Sequence, residues 1–203
     1  MQQCRWYILL LIFTVSTWSW GQADSIAEPL PFYQIPEAPQ TYTAASVAAR
    51  MVDGLGFRYH WATDGLRTED LDYDHGNDAR TVRQTLEHLY NLAGTILNSA
   101  SSTPNVRPLP AEELTFDQLR QRTLERLQRA SDRFHRSDAG ADMDRHSIIF
   151  QRGEQTATYP FWNQLNGPLA DAIWHTGQIV ALRRISGNPI DPRVNVFIGK
   201  LVE

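Results

Sequence analysis

The chain has few of the residue types that many enzymes use at their reactive centres. It has a single cysteine, Cys4, so the sequence predicts neither a disulfide framework nor a metal site built from thiolates. It also has no glycine-rich phosphate loop, no Gly-x-Ser-x-Gly elbow and no His-Glu-x-x-His motif. These absences argue against nucleotide hydrolysis, serine hydrolase chemistry and the common zinc protease site.

Long apolar runs and blocks of positive charge are scarce as well. The net charge is −4 and no block of lysine or arginine stands out, so we expect no nucleic-acid partner. The apolar run Tyr7–Trp20 is shorter than the roughly twenty residues that a membrane span needs. Arg5 precedes this run, and the small residues Gly21 and Ala23 follow it. The pattern predicts a signal peptide over residues 1–21, an exported protein and no stable membrane span after cleavage.

The remaining chain reads as an arm, four helices and a tail. Four prolines lie in residues 22–42, which we expect to form an extended arm with Phe32, Tyr33 and Ile35 laid on the body. Apolar spacing and capping signals predict helices over Thr43–Leu66, from Asp78 to about Asn98, from Thr115 to Phe134, and over Pro160–Ser186 with a kink at Gly167-Pro168. Four such helices predict an all-α four-helix bundle over residues 43–187, followed by an extended C-terminal tail over residues 188–203. Ile148–Arg152 and Val194–Ile198 are the only strand-like segments that we identify.

The last helix carries one polar row on an otherwise apolar surface. At about 100° per residue, Asp171 and Gln178 fall within roughly 60° of His175. A helix this apolar is normally buried, and a buried carboxylate is costly unless it is paired or bound to a metal. Asp171 and His175 therefore supply two ligands of a candidate metal site.

A third ligand must come from another helix. His88 is the best placed of the other histidines, although it lies about 120° from the centre of the apolar seam of its helix. Periodicity alone favours an ordinary histidine at the edge of the buried face.

Several short motifs also indicate a metal site at these residues. The segments Leu66–Leu71, Arg80–Leu89, Asp171–Ile179 and Arg184–Gly187 together resemble the DinB/YfiT-like family of metal-binding four-helix bundles. The resemblance implies that His88 is the first ligand and His175 the last. The middle ligand, usually histidine, falls on Asp171, which is similar to the mycothiol-dependent maleylpyruvate isomerase branch of the family.

The resemblance implies an enzyme that uses a divalent ion (Zn, Ni, Fe or Mn) on a small-molecule substrate, by metal-assisted hydrolysis or thiol-dependent transfer. A non-catalytic exported bundle that binds a metal or a partner is the alternative, and a homodimer is compatible with either. In a third, purely structural interpretation, Asp171 only pairs with Trp61, Trp174 or an arginine inside the protein.

Further polar residues are candidates for the surroundings of the metal. His60 and Asp64 lie one turn apart near the end of the first helix and are candidates to orient a ligand or act as an auxiliary base. The other interpretation is that both are exposed. Trp61 is a candidate pocket wall, and Gln178, one turn beyond His175, is a candidate to orient that ligand.

Overall fold

The structure is a computed structural model and describes residues 29–74, 76, 78–137 and 142–203. The signal peptide predicted over residues 1–21 lies outside the described residues, as do residues 22–28 of the predicted arm. In the described part of the chain, no helix combines the length and apolar character needed to cross a bilayer.

Threonine caps define where the three longest helices begin. Helix α1 (Ala44–Thr63) follows Thr43, α3 (Val82–Ala100) follows Thr81, and α4 (Phe116–His135) follows Thr115. Each threonine hydroxyl accepts a hydrogen bond from the backbone N–H three residues later, and the side chain at that position accepts one in return. The capping box predicted at Thr115 is thus confirmed. The predicted start near Asp78 is wrong, because Asp78 adopts a left-handed turn (φ 57°) before α3.

The last long helix is interrupted where the sequence predicted a kink. A short helix α5 (Trp162–Gln164) leads into a π-helical turn, Leu165–Leu169, and then into α6 (Ala170–Ile185). Pro168 lies inside the wide turn, where its missing N–H removes one helical hydrogen bond. The turn sets the direction from which α6, with Asp171 and His175, enters the body of the protein.

The chain is mostly helical but also contains a small sheet, so the all-α prediction is incomplete. Strand β1 (Asn105–Arg107) pairs in parallel with β2 (Ile148–Arg152), which pairs antiparallel with β3 (Gln155–Tyr159). The predicted strand Ile148–Arg152 is confirmed. The tail segment Val194–Ile198 is a strand only at its start, since β4 (Val194–Asn195) turns back through residues 196–199 to pair with β5 (Lys200–Leu201).

The four long helices pack around one core. Helices α1 and α3 each pack against both α4 and α6, and a four-residue helix, α2 (Thr68–Leu71), joins α1 to α3. Leucine and aromatic side chains dominate the fully buried set, which includes Leu55, Phe57, Tyr59, Leu86, Leu89, Leu127, Phe134 and Ile179. This arrangement is compatible with a helical bundle.

The described part of the arm packs on α1 through Phe32, as predicted for that residue, but residues 31–34 form a turn and not an extended segment. Phe32 is buried against Gly56, where an added Cβ would lie 2.5 Å from the phenyl ring, so this helix position must lack a side chain. The N–H of Ile35 donates to the carbonyl of Gly199 at 2.8 Å, which joins the arm to the tail. Tyr33 remains more than half exposed, although its ring packs beside Trp61.

A buried polar junction holds the ends of α1 and α6 together. The Arg183 guanidinium is buried and donates to the carbonyls of Trp61, Ala62 and Asp64 at 3.3, 3.0 and 2.8 Å. It thereby satisfies the carbonyl groups that the C-terminus of α1 leaves unpaired. These contacts anchor the C-terminal end of α6.

Asp70 forms the second half of this junction. Its carboxylate is fully buried and accepts hydrogen bonds from Arg67, at 2.8, 2.9 and 3.0 Å, and from Ser186 and Asn188, both at 2.5 Å. The Arg67 guanidinium and these donors hold the pKa of Asp70 well below its usual range. Asp70 thus connects α2 to the end of α6.

Replacing Asp70 by Asn should lower the free energy of unfolding at pH 7 by about 2 kcal/mol, because the amide cannot accept all the hydrogen bonds that the buried carboxylate accepts from Arg67, Ser186 and Asn188. The folded-state pKa of Asp70 is depressed, so its contribution is complete above about pH 4 and declines as the pH falls further. Urea unfolding at pH 7 and pH 2.5 should show a smaller gap between the two proteins in acid. Asp72→Asn, at an exposed neighbour, is the control; a gap that is the same at both pH values would refute the assignment.

Candidate metal centre

Two helices bring a carboxylate and two imidazoles together. His88 lies on α3, and Asp171 and His175 lie one turn apart on α6. Asp171 Oδ2 is 3.1 Å from His88 Nε2, and Asp171 Oδ1 is 3.2 Å from His175 Nε2. One carboxylate therefore connects two histidines that are 87 positions apart in sequence numbering (175 − 88).

The spacing of the donor atoms suits a single ion. One donor atom from each of His88, Asp171 and His175 lies within 4.8 Å of the other two, and the two imidazole rings meet edge to face with centroids 4.7 Å apart. Tetrahedral donors at about 2.1 Å from one ion are about 3.4 Å apart, which is close to the 3.1 and 3.2 Å between the Asp171 oxygens and the two imidazole nitrogens. The structure thus shows a His/Asp/His cluster that could hold a metal ion.

The cluster is half-buried, which differs from the expectation of a buried helix. The side chains of His175, His88 and Asp171 are 14%, 29% and 41% exposed. Trp174, between the two α6 ligands, is 71% exposed, because one face of α6 has no neighbour in the described part of the chain. The periodicity argument placed His88 correctly at the edge of the buried face. A water-accessible carboxylate also avoids most of the desolvation cost that a buried one would carry.

Gln178 supports one of the two histidines. Its Oε1 lies 2.6 Å from His175 Nδ1, as expected for a side chain one turn away. An N–H at Nδ1 that donates to Gln178 leaves the lone pair of Nε2 directed at the cluster, which is the tautomer that a metal ligand requires. Asp171 makes its side-chain contacts in the described structure with the two imidazoles, not with Trp61, Trp174 or an arginine.

A small cavity opens beside His175. It has a volume of about 300 Å³, and Ala181 and Leu182 supply apolar wall while Thr85, Gln178 and Arg80 supply polar groups. Residues of the arm and the tail are not among its described lining residues. The cavity therefore reaches one of the three residues of the cluster, His175.

The other residues predicted near the metal have their contacts elsewhere. His60 Nδ1 lies 2.7 Å from the Pro31 carbonyl, and burial lowers the pKa of His60. Trp61 Nε1 donates to the Tyr33 carbonyl at 3.1 Å, and Asp64 accepts from Arg120 at 3.0 Å. These three side chains hold the arm and α4 against α1. The alternative that both His60 and Asp64 are exposed is confirmed for Asp64, whose side chain is 52% exposed, and is wrong for His60, which is 6% exposed.

Sequence reasoning missed a second acidic group inside the protein. Asp53 on α1 is buried, accepts a 2.5 Å hydrogen bond from Ser131 on α4, and lies 3.6 Å from His135 Nε2. Burial raises the pKa of Asp53. In the sequence, the only sign of this buried acid is a carboxylate between apolar residues, Val52 and Leu55. Its partners could not be predicted, because Ser131 and His135 lie on another helix.

Comparisons with protein-family models, with curated proteins and with solved structures find no match for this chain. The resemblance to the DinB/YfiT-like family therefore stays a prediction. The cluster of His88, Asp171 and His175 and the cavity beside it are the features of the molecule that point to a function.

Removing one ligand should weaken metal binding by at least about a hundredfold, because loss of a ligand costs more than loss of a residue that only orients one. Titration calorimetry with Ni²⁺ or Zn²⁺ on His88→Ala, Asp171→Ala and His175→Ala measures this. His135→Ala, at a partly exposed histidine outside the cluster, is the matched control. Equal affinities for the cluster variants and the control would mean that the metal binds elsewhere.

Replacing Gln178 by Ala should weaken the same metal by about ten- to a hundredfold, since His175 loses the hydrogen bond that fixes its tautomer. The loss should be smaller than that of His175→Ala and should leave the stoichiometry unchanged. An affinity identical to wild type would show that the Gln178 contact does not orient the ligand.

Proposed function

We propose that the chain is a metal-dependent enzyme that acts on a small molecule, with a divalent ion held by His88, Asp171 and His175. The observation that carries the proposal is the convergence of these three side chains from two separate helices. Two histidines and one carboxylate suit Zn, Ni, Fe or Mn and leave positions open for water or substrate.

Each residue has a distinct role in this proposal. Bound at the cluster, a divalent ion supplies a Lewis acid that lowers the pKa of water or of a thiol. His88 and His175 present Nε2 to a common point, and Asp171 adds a negative charge between them. Gln178 Oε1 can accept a hydrogen bond from His175 Nδ1, which would leave Nε2 of the same ring available to the ion. This arrangement is compatible both with metal-assisted hydrolysis and with thiol-dependent transfer.

The cavity beside His175 favours an enzyme over a closed binding site. A small substrate that enters it would meet the apolar wall of Ala181 and Leu182 and reach the cluster from the side of His175. The Arg80 side chain at the rim is suited to an anionic group of such a substrate. The alternative function, a non-catalytic exported bundle that binds a metal or a partner, needs the same cluster but no turnover.

We extend the proposal to the family, the location and the partners of the chain. The packing of α1, α3, α4 and α6 supports a four-helix bundle of the DinB-like type, with Asp171 in the place of the usual histidine. We also propose that the N-terminal segment directs export and that the chain has no nucleic-acid partner. A homodimer is compatible with this function. Export favours hydrolysis over thiol transfer, since low-molecular-weight thiol cofactors are cytosolic.

The proposal is tested with metal-free protein reloaded with Zn²⁺, Ni²⁺, Fe²⁺ or Mn²⁺ in turn. Wild type is assayed against a panel of small esters, amides and lactones, with and without a low-molecular-weight thiol. We expect turnover that requires the metal and that falls below detection in Asp171→Ala, while Asp64→Ala, at an acid outside the cluster, remains active.

Thermal unfolding of the same samples separates the two candidate functions. A metal that binds only the folded form should raise the melting temperature, and at a hundred times its Kd it adds about 2.7 kcal/mol of stability. Stabilisation by metal without turnover on any substrate class would support the binding protein. No stabilisation and no turnover would contradict both functions.

A further inference from the structure

A second and larger cavity lies on a different side of α3. It has a volume of about 580 Å³ and is bounded by α3, α4, β1 and the connection from β1 to α4. It shares no described lining residue with the cavity beside His175. Its size falls within the range of small-molecule sites in proteins.

The charges around this cavity do not balance. Its two acids are already paired, because Glu87 contacts Arg83 at 3.2 Å and Glu112 contacts Arg122 at 2.8 Å. Three further arginines line it: Arg107, Arg126 and Arg129. In the described part of the chain, no carboxylate forms an ion pair with any of these three. The wall therefore carries an excess of positive charge.

Arg126 is the most firmly positioned of the three. Its guanidinium carbon lies over the Tyr90 ring, 3.5 Å from the ring centroid, and Nη1 donates to the Tyr90 carbonyl at 2.9 Å. Partial burial lowers the pKa of Arg126, while Glu112 and Tyr90 act on this pKa in the opposite direction. A planar, fixed guanidinium at a cavity wall is suited to bidentate recognition of an oxyanion.

A glycine in the middle of α3 makes this position possible. A Cβ at Gly94 would lie 3.1 Å from Arg126 Nη1 and 3.6 Å from Cζ. Glycine inside a helix costs roughly 1 kcal/mol relative to alanine, so its presence there calls for a packing reason. The close approach of Arg126 to the α3 backbone supplies that reason.

We propose that this cavity binds a small organic anion that carries a carboxylate or phosphate group, held by Arg126 with Arg107 and Arg129 beside it. The guanidinium of Arg126 meets the oxyanion, and the polar side chains of Asn91 and Thr95 on α3 face the remainder of the ligand. This second site needs no metal and is independent of the function proposed above.

The probes are inorganic phosphate and succinate, added to wild-type protein in EDTA at constant ionic strength and followed by amide chemical shifts. We expect saturable shifts confined to α3, α4 and β1 around the cavity. Arg126→Gln should weaken binding of the preferred probe by about tenfold or more. Gly94→Ala should weaken it less than Arg126→Gln and without any change of charge, because the added methyl group lies 3.1 Å from Nη1 and shifts the guanidinium slightly.

Arg184→Gln removes the same charge from an exposed position at the end of α6 and is the matched control. Equal weakening by Arg126→Gln and Arg184→Gln, non-saturable shifts, or shifts centred on His88 and His175 would each overturn the proposal. If Arg126→Gln does not fold, the shift map of wild type and the Gly94→Ala variant decide the question. The Ni²⁺ titration of the cluster is a separate measurement, so the two sites can fail independently.

Discussion

The candidate metal site depends on the contacts that the Asp171 carboxylate makes with two histidines. One oxygen faces His88 on α3 and the other faces His175 on its own helix. Without Asp171, the imidazoles of His88 and His175 would have no negatively charged group between them. The contact exists because α6 packs against α3 and because the π-helical turn before Ala170 sets the path of α6.

The polar junction at the other end of α6 protects this geometry. Arg183 binds the carbonyl groups at the end of α1, and Asp70 binds Ser186 and Asn188 just beyond α6. Both groups are buried and hydrogen-bonded, so a rotation or slide of α6 would leave charges unpaired inside the protein. The half-exposed cluster thus lies on a helix whose far end is firmly anchored.

Patterns within single helices were predictable from the sequence, and pairings between distant segments were not. The Thr115 cap, the interruption at Pro168 and the edge position of His88 all follow from local spacing. The exposure of Trp174 could not be predicted, because the apolar composition of a helix does not show which of its faces packs against a neighbour. Strand β3 was missed because all five of its residues are exposed and give no alternation. The contact between His60 and the Pro31 carbonyl was not predictable either, because Pro31 lies on the arm, 29 residues earlier in the chain.

The central claim is that one metal ion is held by two imidazoles and one carboxylate. X-ray absorption spectroscopy of the protein loaded with one equivalent of Zn²⁺ or Ni²⁺ tests it most directly. The account predicts a shell of nitrogen and oxygen ligands near 2.0–2.2 Å with the outer-shell scattering of two imidazoles, reduced to one in His88→Ala. A spectrum of the hydrated ion, or one that His88→Ala leaves unchanged, would contradict it.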